Sequence, residues 1–453
     1  MRKHLSLTAI ALSLVFPACS LAPQFARPNM DLPQGWNDAS GIAMRSGPPQ
    51  EPFWQALGSS ELDQIIDMAL AQNLDLEAAL HRIDEERALA KVAAAPLYPS
   101  VNASGSGSRT YTKTGGQDTR ATNAASGGGS ISWEVDLWGK NRNTAKSADY
   151  RADATVFDRE ALRLVITSDV TNLYTQILGF NDRIQIAANN LKNDQEVLRI
   201  IEARFKEGAV SGLEVSQQRV EVNGLQSTLA GLNEQRTTAL NALAVLLGKA
   251  PQDFDAPDAQ FASLKMPAVS LTPPAELLTA RPDIQSAEAG LRAANADIGA
   301  ARAAFFPSLT LSADTAIAAG FGNPASAVSS LAANILAPIF SGGRLTGNLQ
   351  NVTARQKELA ATYQKTVLTA FQEVEDALAS LKSNAEQAEV ARQSVIESQN
   401  AYNIAKLRLD AGAIDYVTLL ITQRSLYQAQ DNQIVVDQAQ LAAFVNLRKA
   451  LGA

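Results

Sequence analysis

The sequence predicts a mainly α chain with a β-barrel contribution: long coiled-coil helical hairpins, four β-strands and an internal duplication. Three observations carry this. Within residues 162–205, Leu162, Ile166, Val170, Leu173, Ile177, Phe180, Ile184, Ala187 and Leu191 follow steps of four, four, then alternating three and four. That is the seam of a left-handed coiled coil. Asp194 breaks the seam and Leu198, Ile201 and Phe205 resume it. No proline lies between Lys140 and Ala250, so a helix from about Thr144 to Phe205 would be roughly 90 Å long. The second observation is alternation: Ile131, Trp133, Val135 and Leu137 on one face, Ser130, Ser132, Glu134 and Asp136 on the other. That is a strand with one apolar and one wet face. The third is that the same order of landmarks returns about 204 to 208 residues later.

In chain order, residues 1–18 read as a signal peptide, with Arg2, Lys3 and His4 before the short apolar run from Leu5 to Phe16. Residues 19–60 hold many Pro and Gly without periodicity and read as an extended arm on the surface. The first repeat, 61–250, opens with a helix over 62–95 that Pro96 and Pro99 end. A β-hairpin at about 100–138 turns near Gly115 and Gly116, and Trp133 and Trp138 sit where an aromatic belt would meet a membrane interface. A long helical pair at about 142–247 follows, turning at Gly208 and Gly212. Residues 251–274 form a proline-bearing linker.

The second repeat, 275–453, restarts with a helix over 284–304. Phe306-Pro307-Ser308-Leu309 matches Tyr98-Pro99-Ser100-Val101, and residues 320–324 make the loop of a hairpin at about 307–340. Its helical pair, at about 344–450, carries Leu420, Tyr427, Ile434 and Leu441 seven apart. Four strands cannot close a membrane barrel, which needs roughly eight or more. Strands that enter a bilayer must leave no free edge, so several chains would have to share one barrel.

Composition excludes several classes. Nothing basic clusters as a nucleic-acid binder requires. With Arg2 and Lys3 removed with the leader, 37 basic residues stand against 46 acidic ones, a balance of −9, which predicts a modest cation preference in a lumen. Outside the leader His81 is the one histidine, too few for a His-based metal site or triad, so no metal, no cofactor and no enzyme activity is expected. Cys19 is the only cysteine, so no intrachain disulfide forms. The run Phe16-Pro17-Ala18-Cys19 resembles a bacterial lipobox, which implies cleavage before Cys19 and its lipidation. Ser20 rather than Asp after it implies, by the same resemblance, the outer membrane.

Arg281-Pro282-Asp283-Ile284, then Ala287-Glu288, Leu291, Ala293-Ala294-Asn295-Ala296, Ile298-Gly299 and Ala301-Arg302-Ala303-Ala304-Phe305-Phe306-Pro307, resemble the signature of TolC-type outer-membrane efflux channel lipoproteins, the OprM/NodT branch of the outer membrane factors. The resemblance implies a homotrimer with a 12-stranded barrel among outer-membrane lipids and a helical tunnel through the periplasm. It also implies docking with a periplasmic membrane-fusion adaptor and an inner-membrane pump, of the resistance-nodulation-division type in this branch. The expected cargo is small molecules such as drugs or toxic compounds.

The family's gate lies near the helix turns. Here Val417 matches an apolar constriction position and Arg424 an arginine that pairs at the closed tip. Ile421 falls where OprM-like members carry a gating Asp, and Asp415 is the other nearby source of negative charge. The expectation is a tip closed by Val417 and Ile421, an apolar constriction that gates by dewetting. Gly208 and Gly412 allow tight turns and, by resemblance, mark where the adaptor touches. A rival reading, a periplasmic coiled-coil adaptor or spacer lipoprotein, explains Cys19 and the rods but neither the two hairpins nor the duplication.

Overall fold

A computed structural model describes residues 20–37, 43–44, 52–116, 118–254, 257, 259–320 and 325–452. The expected leader, Cys19 and most of the second hairpin's loop lie outside the described residues. The first half comprises β1 (Ala43–Met44), α1 (Ser60–Gln72), α2 (Leu74–Ala94), β2 (Ser100–Thr112), β3 (Arg120–Val135), α3 (Lys140–Lys206) and α4 (Gly212–Leu246). The second comprises β4 (Ser270–Leu271), α5 (Pro274–Ala280), α6 (Pro282–Ala303), β5 (Ser308–Gly320), β6 (Ser326–Leu336), α7 (Arg344–Asp410) and α8 (Tyr416–Ala450). Helices α3 and α7 are both 67 residues and α4 and α8 both 35. Each 67-residue helix is roughly 100 Å long.

The helix expected over 62–95 is two helices. Buried Asn73 separates them in an extended conformation: its backbone N–H closes α1 on the Ala69 carbonyl while its side chain opens α2 and ties it to α4. Its Oδ1 accepts from the backbone N–H groups of Asp75 and Leu76 at 3.0 Å, opening α2, while its Nδ2 donates to the carbonyl of Leu246 at 2.9 Å. Residues 251–274, read as a linker, contain β4, which pairs in parallel with β1 of the arm. Leu137 lies past the strand. Asp136 turns its carboxylate to the N–H groups of Asn141 and Arg142, starting α3 two residues before the expected 142.

The chain divides into two compact units. One holds the segments through Pro28, Asp84–Ala154 and Glu288–Thr362. Its sheet is antiparallel throughout, in the order β2-β3-β5-β6, so β2 and β6 are its edges. Directly paired residues share a face, and the register therefore sorts the side chains. One face carries Val101, Ile131, Trp133, Leu309, Leu311, Leu331 and Ile335; the other carries Ser106, Ser126, Ser130, Ser312, Asp314 and Ser330. At Gly128 a Cβ would stand 2.5 Å from the Thr315 carbonyl oxygen, so only glycine lets β3 and β5 approach here. Trp133 and Trp138 donate their indole N–H groups to the carbonyls of Leu97 and Pro307, and Trp138 stacks on Phe306.

In the same unit the start of the chain runs along α6. Arg27 pairs with buried Glu288 at 2.8 Å, which also holds Arg292. Arg292 in turn lies over the ring of Phe25. Asn295 donates to the Pro23 carbonyl and Arg302 to that of Leu21. Gly299 leaves the space that Ala22 fills: a Cβ there would lie 2.7 Å from the Ala22 Cβ. The central part of the signature, 288–302, is thus a track for the arm.

The other unit holds Asn29–Ile83, Thr155–Ala287 and Tyr363–Ala453. One apolar cluster gathers Trp36, Phe53, Leu277 and Ile284 with the α7 stripe Tyr363, Val367, Val374 and Leu378 and with Phe444 and Leu447 of α8. A second gathers α1 with Ile166, Val170, Tyr174 and Ile177 of α3 and Leu243 of α4. Arg281, at the head of the signature, is buried and binds Asp283, Glu373 and the carbonyl of Ala450.

Candidate gate at the helix turns

Both helix turns belong to this second unit, and their local chemistry is the same. Gly208 and Gly412 have φ of 75° and 70°, left-handed values that glycine adopts without strain. Each ends its helix with a paired bond: Gly208 and Ala209 donate to the carbonyls of Phe205 and Arg204, Gly412 and Ala413 to those of Leu409 and Arg408. A polar residue then caps the returning helix. Ser211 and Glu214 form a capping box on α4. On α8 the Asp415 carboxylate accepts from the Thr418 N–H at 2.9 Å and its hydroxyl at 2.6 Å, which holds its pKa below the ordinary value. Asp415 is therefore an ionised cap.

Asp194, which breaks the apolar seam in sequence, does not leave it in space. Phe180, Ala187, Asp194 and Ile201 are seven apart and all buried, and Asp194 is wholly inaccessible. It is the single charged position in that row, an arrangement that fixes register in coiled coils. Gln218 of α4 donates through Nε2 to the Asp194 carboxylate at 2.8 Å and to its carbonyl at 3.0 Å. Gln423 of α8 donates to both carboxylate oxygens and also touches the Tyr427 hydroxyl, which itself reaches Asp194. The Tyr416 hydroxyl donates to Gln218 Oε1. Burial raises the Asp194 pKa, nearby Glu221 adds to the rise, and the Gln218, Tyr427 and Gln423 hydrogen bonds oppose it. Burial likewise raises the phenols of Tyr416, Tyr427 and Tyr402.

Arg424 binds Glu221 of α4 at the edge of this network. Further along α8 the same side continues at seven-residue spacing. Asp431 forms a two-pronged pair with Arg183 of α3, at 2.7 and 3.0 Å. Gln438 donates to the carbonyls of Thr175 and Gln176. Gly179 makes that last contact possible, since a Cβ there would lie 1.6 Å from Gln438 Nε2. So α8 is fastened to the first helical pair by Arg424, Asp431 and Gln438. The sequence signal was their shared period of seven, beside the apolar row at Leu420.

The remaining expected residues point elsewhere. Val417 and Ile421 are exposed, Ile421 at 59%. One helical turn apart, they make a small apolar face next to Arg424. Gly208 and Gly412 stand in open space. His81 is on the surface near Glu77. Among the described residues no group of His, Cys, Asp and Glu is placed to hold a metal.

Known proteins share this architecture. The family model for the outer membrane efflux protein matches residues 65–249 and 274–453, one stretch in each repeat. The chain is 39% identical to the pyoverdine export outer membrane protein OpmQ of Pseudomonas aeruginosa, over 99% of this chain and 96% of that one. It is 31% identical to the cation efflux system protein CusC of Escherichia coli K12, over 98% of both. A crystal structure of CusC superposes with a TM-score of 0.85 at 30% identity, covering 96% of this chain and all of that one. A membrane protein from Pseudomonas aeruginosa superposes at 0.87, with 29% identity, covering 96% of this chain and all of that one. The spacer or adaptor reading finds no support among these relatives. With the paired hairpins, the equal helices and both repeats matched, the chain belongs to the outer membrane efflux protein family, whose members are transport channels and not enzymes.

Proposed function

We propose that this channel is the outer-membrane conduit of a tripartite efflux system and that three copies close one 12-stranded barrel. A leader of residues 1–18 is removed and Cys19 is lipidated, tethering the mature chain to the outer membrane. The observation that carries the reading is the sheet: four strands, apolar on one face and polar on the other, with β2 and β6 left as edges. Unpaired strand edges are not tolerated in hydrocarbon, so sister chains supply the missing partners. Serine, threonine and glycine on the polar face suit a water-filled lumen.

The cargo is small molecules, including drugs or toxic compounds, handed on by a periplasmic adaptor and an inner-membrane pump of the resistance-nodulation-division type. The likeness to a pyoverdine export protein favours a second cargo reading, pyoverdine or a compound like it. The tip closes where Val417 and Ile421 of several chains meet. The bonds from α8 to Asp194, Glu221 and Arg183 hold each chain's second helical pair against its first, and opening breaks them. The turns at Gly208 and Gly412 meet the adaptor.

Purified mature protein in planar bilayers tests the conduit, alongside its mass in detergent. Conductance from a three-chain species is expected; a lone, non-conducting molecule would overturn it. A deletion strain separates the cargoes, through loss of drug resistance or loss of the pyoverdine-like compound from the medium.

A further inference from the structure

The sheet carries its basic residues at one end. Along β2, β3, β5, β6 and the turn between β2 and β3, they are Arg109, Lys113 and Arg120, all at the tip of the first hairpin. None of the three has an ion pair among the described residues, whereas Lys140 at the opposite end is matched to Glu134. With Asp118 the one acid of that turn, this is a net positive rim on a chain whose formal charge is −7.

The register says which way the rim faces. Arg109 pairs with Asn123, Tyr111 with Ala121, and Val101 with Ile131, so Arg109 and Tyr111 stand on the apolar face with Val101, Ile131 and Trp133. Lys113 follows in the same odd-numbered alternation, one residue beyond the strand. Arg120 pairs with Thr112 on the polar face. The Arg109 guanidinium lies over the Tyr111 ring, 5.3 Å from its centre. No other residue on the apolar face of the described strands is charged.

The spacing fits the two interfaces of one bilayer. Asn123, opposite Arg109, is ten residues before Trp133 on β3. At about 3.3 Å per residue and a strand tilt near 40°, that is roughly 25 Å along the membrane normal, the height of a barrel's apolar band. Trp133 then marks one interface, and Tyr111 with its two cations marks the other. A cation there meets lipid headgroups and not solute in the lumen.

We propose that Arg109 and Lys113, flanking Tyr111, bind the phosphate groups of lipid headgroups in the outer leaflet. This rests on the reading of the sheet as membrane-embedded. Arg109 suits the role because a guanidinium takes two phosphate oxygens at once, and Tyr111 holds it at the headgroup level while burying its own ring. The occupant is a lipid, because the site stands on the apolar face. A free anion in the pore would meet Arg120.

The test uses the full mature protein in detergent and native mass spectrometry with two probes: bis-phosphorylated lipid A and the same lipid with its phosphates removed. The wild type should retain the phosphorylated form preferentially, and less so at high salt. R109Q/K113Q should lose about 25-fold in retention, from roughly fivefold for each cation near a charged surface. R120Q should retain as the wild type does, and R109K should keep most of the preference, showing that the folded assembly survives substitution at the site. Equal retention of both lipids by the wild type, an equal loss in R120Q, or displacement by millimolar inorganic phosphate would overturn the proposal. Flotation of the same variants with vesicles checks insertion separately: protein that inserts without preferring phosphate sinks this inference alone, and protein that does not insert sinks the conduit reading.

Discussion

Gln423 of α8 donates to both carboxylate oxygens of Asp194 in α3, at 3.1 and 3.2 Å, in a row whose other members Phe180, Ala187 and Ile201 are also buried. The bond joins the chain's two helical pairs through a carboxylate whose donors, Gln218 and Gln423, are neutral amides. Replacing Asp194 with Leu removes the buried carboxylate that accepts from Gln218 and Gln423, leaving those amides only the backbone carbonyl at 194 and the Tyr427 hydroxyl, at a cost of about 1–3 kcal/mol. D194L should raise open probability in planar bilayers by tenfold or more. Wild-type closure in D194L would show that the bond does not hold the tip.

The same residue sets a pH dependence. Burial and Glu221 raise its pKa above the ordinary value of 3.8, so the closed arrangement takes up that proton more readily than a form with Asp194 in water. The closed tip should gain stability as pH falls through the raised pKa, level off below 3.8, and lose the gain as pH rises again. The groups facing it are Gln218 and Glu221 of α4, Tyr402 of α7, and Gln423, Arg424 and Tyr427 of α8. D194N carries no charge there, and its conductance should vary less between pH 4 and 7. An unaltered pH profile in D194N would assign the effect to another group.

Val417 and Ile421 make an exposed apolar face on α8. If such faces meet around an axis, polar replacements let water in. V417S and I421S should each raise resting conductance several-fold without changing trimer heat stability in detergent. Unchanged closure in both would remove the constriction.

Gly179 offers a change of sign. In wild type, G179A forces Gln438 off the carbonyls of Thr175 and Gln176 and should destabilise by about 1–2 kcal/mol. With Q438A already in place, the same substitution should stabilise by up to about 1 kcal/mol, the helix preference of alanine over glycine. Thermal unfolding midpoints of wild type and the three variants decide it; one sign in both backgrounds refutes the contact.

Gly299 is a second close approach, beneath the arm. G299V should displace Ala22 and weaken the arm's hold by about 1–3 kcal/mol. Faster proteolysis between residues 20 and 28, with conductance kept, is the expected result; wild-type protection would mean the arm is held elsewhere.

Periodicity made the long helices and the duplication legible, because a seam sustained over tens of residues has few competing explanations. The alternation from Ser130 to Val135 likewise exposed a two-faced strand. The break at Asn73 was hidden, since nothing in the local pattern separates a helical asparagine from one capping the next helix. The two-residue strands at Ala43 and Ser270 are too short to leave any pattern. Asp194 looked like an interruption because apolar spacing alone cannot register a charge whose partners, Gln218 and Gln423, lie 24 and 229 residues away. Within the signature, Glu288, Asn295, Gly299 and Arg302 hold the arm, contacts that local spacing does not reveal.

The open sides of β2 and β6 make each molecule answerable for its neighbours. A copy whose β6 carried a mid-strand proline would spoil a seam it shares with a sound one. In cells making both, the damage should exceed the mutant's share of the protein, so such alleles would behave as dominant in merodiploids.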